Sequence, residues 1–173
     1  MKKFVAGVIV GLCVPFVAGY LFLVLGGMPV ATKSRPLPLE KFAAKTALKA
    51  AIGGEVARPS PLPADEPNLL AGARIYQAQC AICHGRLGRR ISTIAQGMFP
   101  RAPQLLPPKK GVTDDPVGET YWKAKHGIRL TGMPGFGDGL SDSELWQVSL
   151  LLRNADKLPA AVQELLREDP DRP

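Results

Sequence analysis

A five-residue segment of the chain, Cys80-Ala81-Ile82-Cys83-His84, combines two thiols and an imidazole at a strict spacing. Two cysteines separated by two residues can each add to one of the two vinyl groups of a haem, and a histidine directly after them supplies a nitrogen ligand to the iron. Two thioether bonds fix the porphyrin against the backbone and leave the histidine ring little freedom. The segment therefore predicts one covalently attached haem c, with His84 as an axial ligand of its iron.

Other sites that use paired cysteines fit this sequence less well. A thioredoxin-type redox pair needs a βαβ setting, which the sequence lacks, and a zinc site needs more ligands than Cys80 and Cys83 with the two histidines of the chain. The third cysteine, Cys13, lies in an apolar run, so the three cysteines do not form the even framework of a disulfide-stapled domain. Haem attachment remains the favoured interpretation.

Helical patterns flank this segment on both sides. The apolar positions of residues 69–79 are spaced for one face of a helix, with Asn68 as its N-cap, and this helix would deliver Cys80. A second helix is predicted from about 114 to 126, because an Asp-Pro start and a glycine stop bound it. The first helix would lie directly before the haem segment, and the second would follow it after a long loop.

Two more helices follow. Ser141 and Glu144 have the form of a capping box, and the helix that they begin is predicted to run to Asn154. A further helix is predicted over 160–167, before an acidic, proline-ended tail that is expected to fray. No strand pattern or internal repeat competes with these helices, so the fold class is predicted to be all-α.

A methionine lies in a glycine-rich loop just before the capped helix, in the run Thr131-Gly132-Met133-Pro134-Gly135-Phe136. Together with the Cys-X-X-Cys-His segment near the domain start, this run resembles the class I cytochrome c family over about residues 68–158. The resemblance implies an all-α cytochrome c fold around one covalently bound haem. It also implies that Met133 is the second axial ligand, and Met/His coordination raises the reduction potential.

Three other residues compete with Met133 for the sixth position of the iron. Met98 lies in a run that resembles the loop along the haem edge in the same family, and Met28 belongs to the apolar N-terminal segment. His126 is predicted in the last turn of a helix, where an imidazole commonly faces the terminal carbonyls. The candidate haem-binding residues are therefore Cys80, Cys83, His84 and Met133, with His84 and Met133 as the iron ligands.

The surroundings of the haem are also expected to be apolar, because a domain of this size needs the ring as part of its core. A carbonyl of Pro100 or Pro103 is expected to orient His84 through its other ring nitrogen, and the sequence does not choose between them. Glycines 85 and 88 are expected to allow the turn after the haem segment, and Gly132, Gly135 and Gly137 to fold the methionine loop. The candidate lining residues, each of which could equally pack between helices, are Leu87, Ile91, Leu105, Tyr121, Trp122, Ile128, Phe136, Trp146 and Leu150.

The N-terminal segment has the length and composition of a membrane span. After Lys2 and Lys3, residues 4–32 carry no charge, which exceeds the roughly 20 residues that a helix needs to cross a bilayer. A cleavable signal has a shorter apolar region, so residues 1–32 are predicted to be an uncleaved transmembrane signal anchor. A lipoprotein signal that uses Cys13 is disfavoured, because such signals have a small residue before the cysteine and Leu12 occupies that position here.

The resemblance also implies a location, because covalent haem attachment in bacteria takes place outside the cytoplasmic membrane. The chain is predicted to be a single-pass protein of the bacterial inner membrane with its haem domain on the periplasmic side. Residues 33–67 are predicted to be a proline-rich linker with a short helix over 39–52, holding the domain off the membrane. The cytochrome c domain is placed at 68–158, and a C-terminal helix and tail at 159–173.

The chain has a formal net charge of +7, but its sequence contains neither a nucleic-acid-binding motif nor a basic patch interleaved with aromatic residues. Nucleic acid is therefore not expected as a partner. The predicted partners are redox proteins with an acidic docking face. The predicted function is electron transfer rather than enzymatic catalysis, either as a tethered shuttle or as a subunit of a larger respiratory or dehydrogenase complex. A haem enzyme or gas sensor is the alternative, and it needs an open sixth position.

Overall fold

The computed structural model describes residues 1–107 and 109–168, and every regular element in them is helical. The chain divides into two compact units, residues 1–41 and the part from Phe42 onward. The elements are α1 (Lys2–Val24), α2 (Glu40–Ile52), a 3-10 turn (Gly53–Ala57), α3 (Glu66–Ile75), a π-helical turn (Tyr76–Cys80), α4 (Ala81–His84), α5 (Thr93–Gly97), α6 (Val117–His126), α7 (Asp142–Arg153) and α8 (Ala160–Arg167).

Helix α1 is apolar and buries none of its residues against protein. It is long enough to cross a bilayer, and within the described residues it is the one helix that passes this test of length and composition. A signal sequence near the N-terminus passes the same test. The helix ends at Val24, so it is shorter than the uncharged stretch 4–32 that marks it in the sequence.

The core of the second unit forms where α3 crosses α7 and α8. Leu69, Ala73 and Leu151 are buried at this crossing. Gly72 allows the close approach, because a Cβ at this position would lie 2.3 Å from the carbonyl oxygen of Gln147. The crossing confirms the all-α fold class and holds the helix that leads into the haem segment.

Helix α3 begins earlier than predicted, and its N-cap is Asp65 rather than Asn68. The backbone N–H of Asn68 donates to Oδ1 of Asp65 at 3.1 Å. Pro67 fits the first turn, since the N–H that proline lacks would have no helical partner there. The side chain of Asn68 instead links two helices, because its Oδ1 accepts a hydrogen bond from Nε2 of Gln147 at 3.1 Å.

In the C-terminal half, the residues at which the helices begin and end agree closely with those predicted from the sequence. Both hydrogen bonds of the capping box at Ser141 and Glu144 are present, and α8 has the predicted bounds. Helix α6 begins at Val117, two or three residues after the predicted start. Helix α5, capped by Ser92, was not predicted, and the tail expected to fray lies mostly in residues 169–173, outside the described residues.

The stretch 52–62, here called the docked segment, differs most from its prediction. The sequence predicts part of an extended linker, but α2 continues into a 3-10 turn, Ile52 is buried, and Leu62 packs against the domain core. The backbone of Glu55 approaches α6 closely, since a Cβ at Gly118 would lie 2.1 Å from the Glu55 carbonyl oxygen. The apolar side chains at its two ends explain why this segment packs instead of extending.

Arg58 fastens the docked segment to an aromatic pair. The rings of Tyr121 and Trp146 stack with centroids 4.0 Å apart and planes 12° apart. The guanidinium carbon of Arg58 lies 5.0 Å from the Tyr121 ring centroid and 5.4 Å from the Trp146 centroid, which is cation–π range. The middle of the docked segment is therefore attached to α6 and α7.

Candidate haem site

The residues predicted to bind haem meet at one open-sided cavity. Cys80, Cys83, His84 and Met133 all line it, although Met133 is about fifty residues away from the others in the chain. The wall of the cavity is mainly apolar, and the haem segment, α6, α7 and the loops that carry Pro103 and Met133 all contribute to it. A mainly apolar lining of this kind matches a large apolar cofactor.

The helix that leads into the haem segment changes its winding before it reaches Cys80. Helix α3 passes into a π-helical turn that ends at Cys80, and α4 then carries the segment to Gly85. Gly85 has a φ of +88°, and a Cβ there would lie 1.9 Å from Oε1 of Gln104. The hydroxyl of Tyr76 donates to the carbonyl oxygen of Gly85 at 2.7 Å in a buried position. These contacts fix the turn that follows the haem segment.

His84 is held in one orientation by the loop that follows it. Its Nδ1 lies 2.8 Å from the carbonyl oxygen of Pro103, and the backbone N–H of Leu105 donates to the His84 carbonyl at 3.2 Å. A carbonyl only accepts, so Nδ1 carries the proton and Nε2 keeps its lone pair. Between the two prolines left open by the sequence, the structure selects Pro103.

Burial favours the neutral forms of the His84 and Cys80 side chains. It lowers the pKa of His84, although the Pro103 carbonyl acts in the opposite direction, so the neutral imidazole is favoured. Burial, together with the neighbouring Cys83, raises the pKa of the Cys80 thiol to about 12. Before attachment Cys80 is therefore a neutral thiol, and a thioether formed from it is neutral as well.

Met133 lies on a loop that is bonded to the C-terminal end of α6. This methionine loop, residues 128–137, makes backbone hydrogen bonds from Phe136 N–H to the Ala124 carbonyl at 2.9 Å and from Ile128 N–H to the Met133 carbonyl at 3.1 Å. The hydroxyl of Thr131 accepts from the Met133 N–H at 3.1 Å. The backbone of Met133 is thus held from both sides.

Glycines make this attachment of the methionine loop feasible. Gly127 has a φ of +68°, and a Cβ there would lie 2.5 Å from the backbone nitrogen of Gly135. A Cβ at Gly135 would in turn lie 2.8 Å from the carbonyl carbon of His126. Gly127 therefore does more than end α6 as the sequence predicts, since it lets the loop lie directly on the helix end.

Two of the three rivals of Met133, Met98 and His126, occupy different places in the haem domain. Met98 lines the same cavity, and its Cε lies 2.3 Å from where a Cβ of Gly132 would be, so it packs on the backbone beside Met133. His126 is exposed and does not line the cavity, and its ring lies 4.9 Å from the Trp122 ring. Of the two histidines, only His84 faces the cavity.

The predicted lining needs a correction. Three of the nine predicted residues, Leu105, Ile128 and Phe136, line the cavity. The pair Tyr121 and Trp146 packs with itself, away from the cavity. The remaining four, which also do not line it, are Leu87, Ile91, Trp122 and Leu150.

Three other side chains on α6 line the cavity in place of the aromatics. Thr120, Lys123 and Ala124 lie at the i, i+3, i+4 spacing of one helix face, and the first and last of them are small. This spacing was a usable signal in the sequence. Small residues leave room for a ring that Tyr or Trp would fill.

The residues present fit a haem. The wall is mainly apolar, and Arg101 and Lys123 are the two arginine or lysine side chains among the described lining residues, which suits an apolar disc with anionic propionates. Nε2 of Gln104 is buried without a hydrogen-bond partner beside the turn at Gly85. An imidazole and a thioether, two groups that can ligate haem iron, line the cavity together with two thiols.

A helical fold that brings an imidazole, a thioether and a Cys-X-X-Cys pair to one apolar cavity defines the class of c-type cytochromes. Residues 67–150 match the family model described as cytochrome c oxidase, cbb3-type, subunit III. This chain carries a class I c-type cytochrome domain, for which covalent haem c and electron transfer are implied, and the match covers just under half of the chain. The comparison with curated proteins gives no match.

Proposed function

We propose that this protein is a membrane-anchored c-type cytochrome with a single haem, which passes single electrons in a respiratory or dehydrogenase electron-transport chain. The observation that carries the proposal is the convergence of Cys80, Cys83, His84 and Met133 on one cavity. In this proposal the two cysteines form the thioethers, and His84 and Met133 are the axial ligands. When bound in this way, the haem supplies a one-electron couple of raised potential.

The chain's own residues favour an electron carrier over a haem enzyme or gas sensor. Pro103 orients the His84 ring, and hydrogen bonds from the N–H groups of Phe136 and Gly137 to carbonyls of α6 hold the methionine loop against that helix. A sixth position that is filled by a fixed side chain leaves no site for a substrate or a gas. Fixed ligands of this kind also limit how far the site rearranges when the iron gains or loses an electron.

The proposal also includes the membrane in which the protein is anchored and the side on which its haem domain lies. Residues 1–32 serve as an uncleaved anchor in the bacterial inner membrane, and the haem domain at 68–158 lies on the periplasmic side. The description of the matched family, an oxidase subunit, supports redox partners within a respiratory complex. Residues 33–67 then form the connection to the anchor, and 159–173 the C-terminal helix and tail.

The experiment is to purify the intact protein from its native membrane and measure its mass, haem content and carbon monoxide binding. We expect the mass of the unprocessed chain plus one haem, retention in the membrane at high salt, and no carbon monoxide binding by the ferrous protein at neutral pH. A cleaved N-terminus would contradict the anchor. Two haems per chain, or tight carbon monoxide binding, would contradict the single-haem carrier.

A further inference from the structure

The stacked rings of Tyr121 and Trp146, here called the aromatic pair, belong to a cluster that has neighbours on two separate parts of the chain. Leu62 of the docked segment and Phe136 of the methionine loop both pack against this cluster, whose third buried member is Leu145. Phe136 also lines the haem cavity. The cluster therefore connects the docked segment with a side chain that would border the haem.

Lys125 makes a second connection between the aromatic pair and the methionine loop. Its Nζ donates to the hydroxyl of Tyr121 at 2.8 Å and to Oδ1 of Asp142 at 3.0 Å. Its main-chain carbonyl oxygen accepts a hydrogen bond from the N–H of Gly137 in the methionine loop at 3.0 Å. A movement of the Tyr121 ring therefore changes the surroundings of a residue that holds the loop on α6.

The Trp146 ring is positioned by packing rather than by a hydrogen bond. It is fully buried, but its Nε1 has no hydrogen-bond partner among the described residues. The ring instead stacks on Tyr121 and lies within cation–π distance of the Arg58 guanidinium. Arg58 is in turn held by Oε2 of Glu55, which accepts from its Nη1 at 3.1 Å. Loss of Arg58 would therefore remove one of the contacts that keep the ring in place.

We propose that Arg58 is a positioning residue for the Met133 ligand, acting through the aromatic pair and the methionine loop that packs against it. This inference rests on the proposed function, in which Met133 is an axial ligand of the haem iron. With Arg58 in place, the pair supports Phe136 and the loop stays closed on α6. Without Arg58 the pair packs less firmly, and Met133 is detached from the iron in a larger fraction of the molecules.

The detached fraction can be measured with an external ligand. Imidazole binds only to molecules in which Met133 has left the iron, so its apparent affinity is proportional to that fraction. A contact of cation–π strength can change such a fraction about fivefold. Because Met133 still occupies the iron in nearly all molecules, the spectrum without imidazole should not change.

The test is a titration of the oxidised full-length holoprotein in detergent with imidazole. We expect Arg58→Ala to bind imidazole about five times more tightly than wild type. The amide hydrogen of Gly137, which reports on the methionine loop, should exchange about five times faster in this variant.

The control for a general loss of stability is Gln163→Ala. Nε2 of Gln163 donates to the carbonyl oxygen of Leu158 at 2.8 Å, next to the start of α8, and neither residue belongs to the cavity or to the aromatic cluster. Guanidinium denaturation of both variants compares their stabilities. We expect Gln163→Ala to bind imidazole within twofold of wild type and to leave the exchange of the Gly137 amide unchanged.

A double-mutant cycle tests whether Arg58 acts through the aromatic pair. Tyr121→Leu removes one ring of the pair and keeps an apolar side chain at that position. If both residues act through the same contact, Arg58→Ala should change imidazole affinity less than twofold in the Tyr121→Leu background. The full fivefold change in that background would show that Arg58 acts by another route.

Imidazole affinity in Arg58→Ala within twofold of wild type would overturn the positioning role, and so would unchanged exchange at Gly137 or an equal effect in Gln163→Ala. Met133→Ala is the reference for the proposed function, because it removes the competing ligand and should tighten imidazole binding at least about a hundredfold. If it binds no more tightly than wild type, Met133 is not the displaced ligand, and the proposed ligation fails whatever Arg58→Ala does. A tight Met133→Ala variant beside an unchanged Arg58→Ala variant would overturn the inference alone.

Discussion

Nδ1 of His84 donates a hydrogen bond to the carbonyl oxygen of Pro103, which lies nineteen positions further along the chain. The partner is a main-chain atom, so no substitution at position 103 removes it unless the loop itself moves. Proline suits this role because its fixed φ stiffens the backbone that presents the carbonyl. The orientation of the imidazole is therefore a property of the loop path, and side-chain changes in the loop should affect it only indirectly.

Replacing Met133 with His should lower the reduction potential while the haem remains attached through Cys80 and Cys83. A harder nitrogen replaces a soft sulfur, and Met/His ligation has the higher potential of the two. About 59 mV corresponds to a tenfold change in a one-electron equilibrium, and we expect a decrease several times larger. Redox titration of the purified holoprotein measures it.

The control for this substitution is His126→Ala. His126 is exposed and lies outside the cavity, so we expect its removal to leave the spectrum and the potential nearly unchanged. If Met133→His left the potential alone while His126→Ala moved it, the coordination would be bis-histidine and the assignment of Met133 would be wrong.

Cys80→Ala and Cys83→Ala should each give little or no normal holoprotein. One thioether cannot fix the ring as two do, and without the haem the domain has an open cavity in place of part of its core. Haem staining of denatured protein and the absorbance of the membrane fraction report the yield. Full haem content with normal spectra in both variants would rule out covalent attachment at this pair.

Tyr76→Phe should destabilise the haem domain by about 1–3 kcal/mol, because it leaves the buried carbonyl of Gly85 without its donor. Chemical denaturation of the holoprotein, followed by absorbance, measures the change. The control is Tyr121→Phe, whose hydroxyl bonds to the largely exposed carboxylate of Asp142. We expect that control to cost about 1 kcal/mol or less, because water can replace the lost bond. Equal losses in the two variants would contradict this account of Tyr76.

Gly118→Ala should release the docked segment from α6. The added Cβ would lie 2.1 Å from the carbonyl oxygen of Glu55 and 2.7 Å from that of Arg58, and backbone atoms cannot move aside as a flexible side chain can. We expect faster amide hydrogen exchange at residues 53–58, with an unchanged haem spectrum. Gly54→Ala is the control, since nothing lies within 4 Å of the Cβ added there. Unchanged exchange in Gly118→Ala would show that the segment is not held at this point.

Features that depend on a few neighbouring residues could be predicted from the sequence. The capping box at Ser141 and Glu144 needs only four residues, and both of its hydrogen bonds are present. The start of α3 was misplaced for a local reason, because Asp65 and Asn68 are both good caps and the proline between them favours the earlier one.

Features that depend on the path of a loop could not be predicted, and the cavity face of α6 was missed although its spacing is visible in the sequence. Pro100 and Pro103 lie in one loop, and only its folded course brings the second carbonyl to His84. The large rings of Tyr121 and Trp146 suggested a haem contact by size alone. They stack on each other, and other side chains of α6 line the cavity.

The docked segment also limits how far the haem domain can travel. With α1 held in a membrane, as proposed, the connection to the domain consists of residues 25–39 and the 13 residues of α2. Fifteen extended residues reach about 50 Å, and the helix adds about 20 Å. Confinement within such a radius gives each haem a local concentration on the order of a millimolar for any acceptor in the same patch of membrane. Under those conditions even a weak docking contact is occupied for much of the time, so the partner can be released quickly without a loss of electron flux.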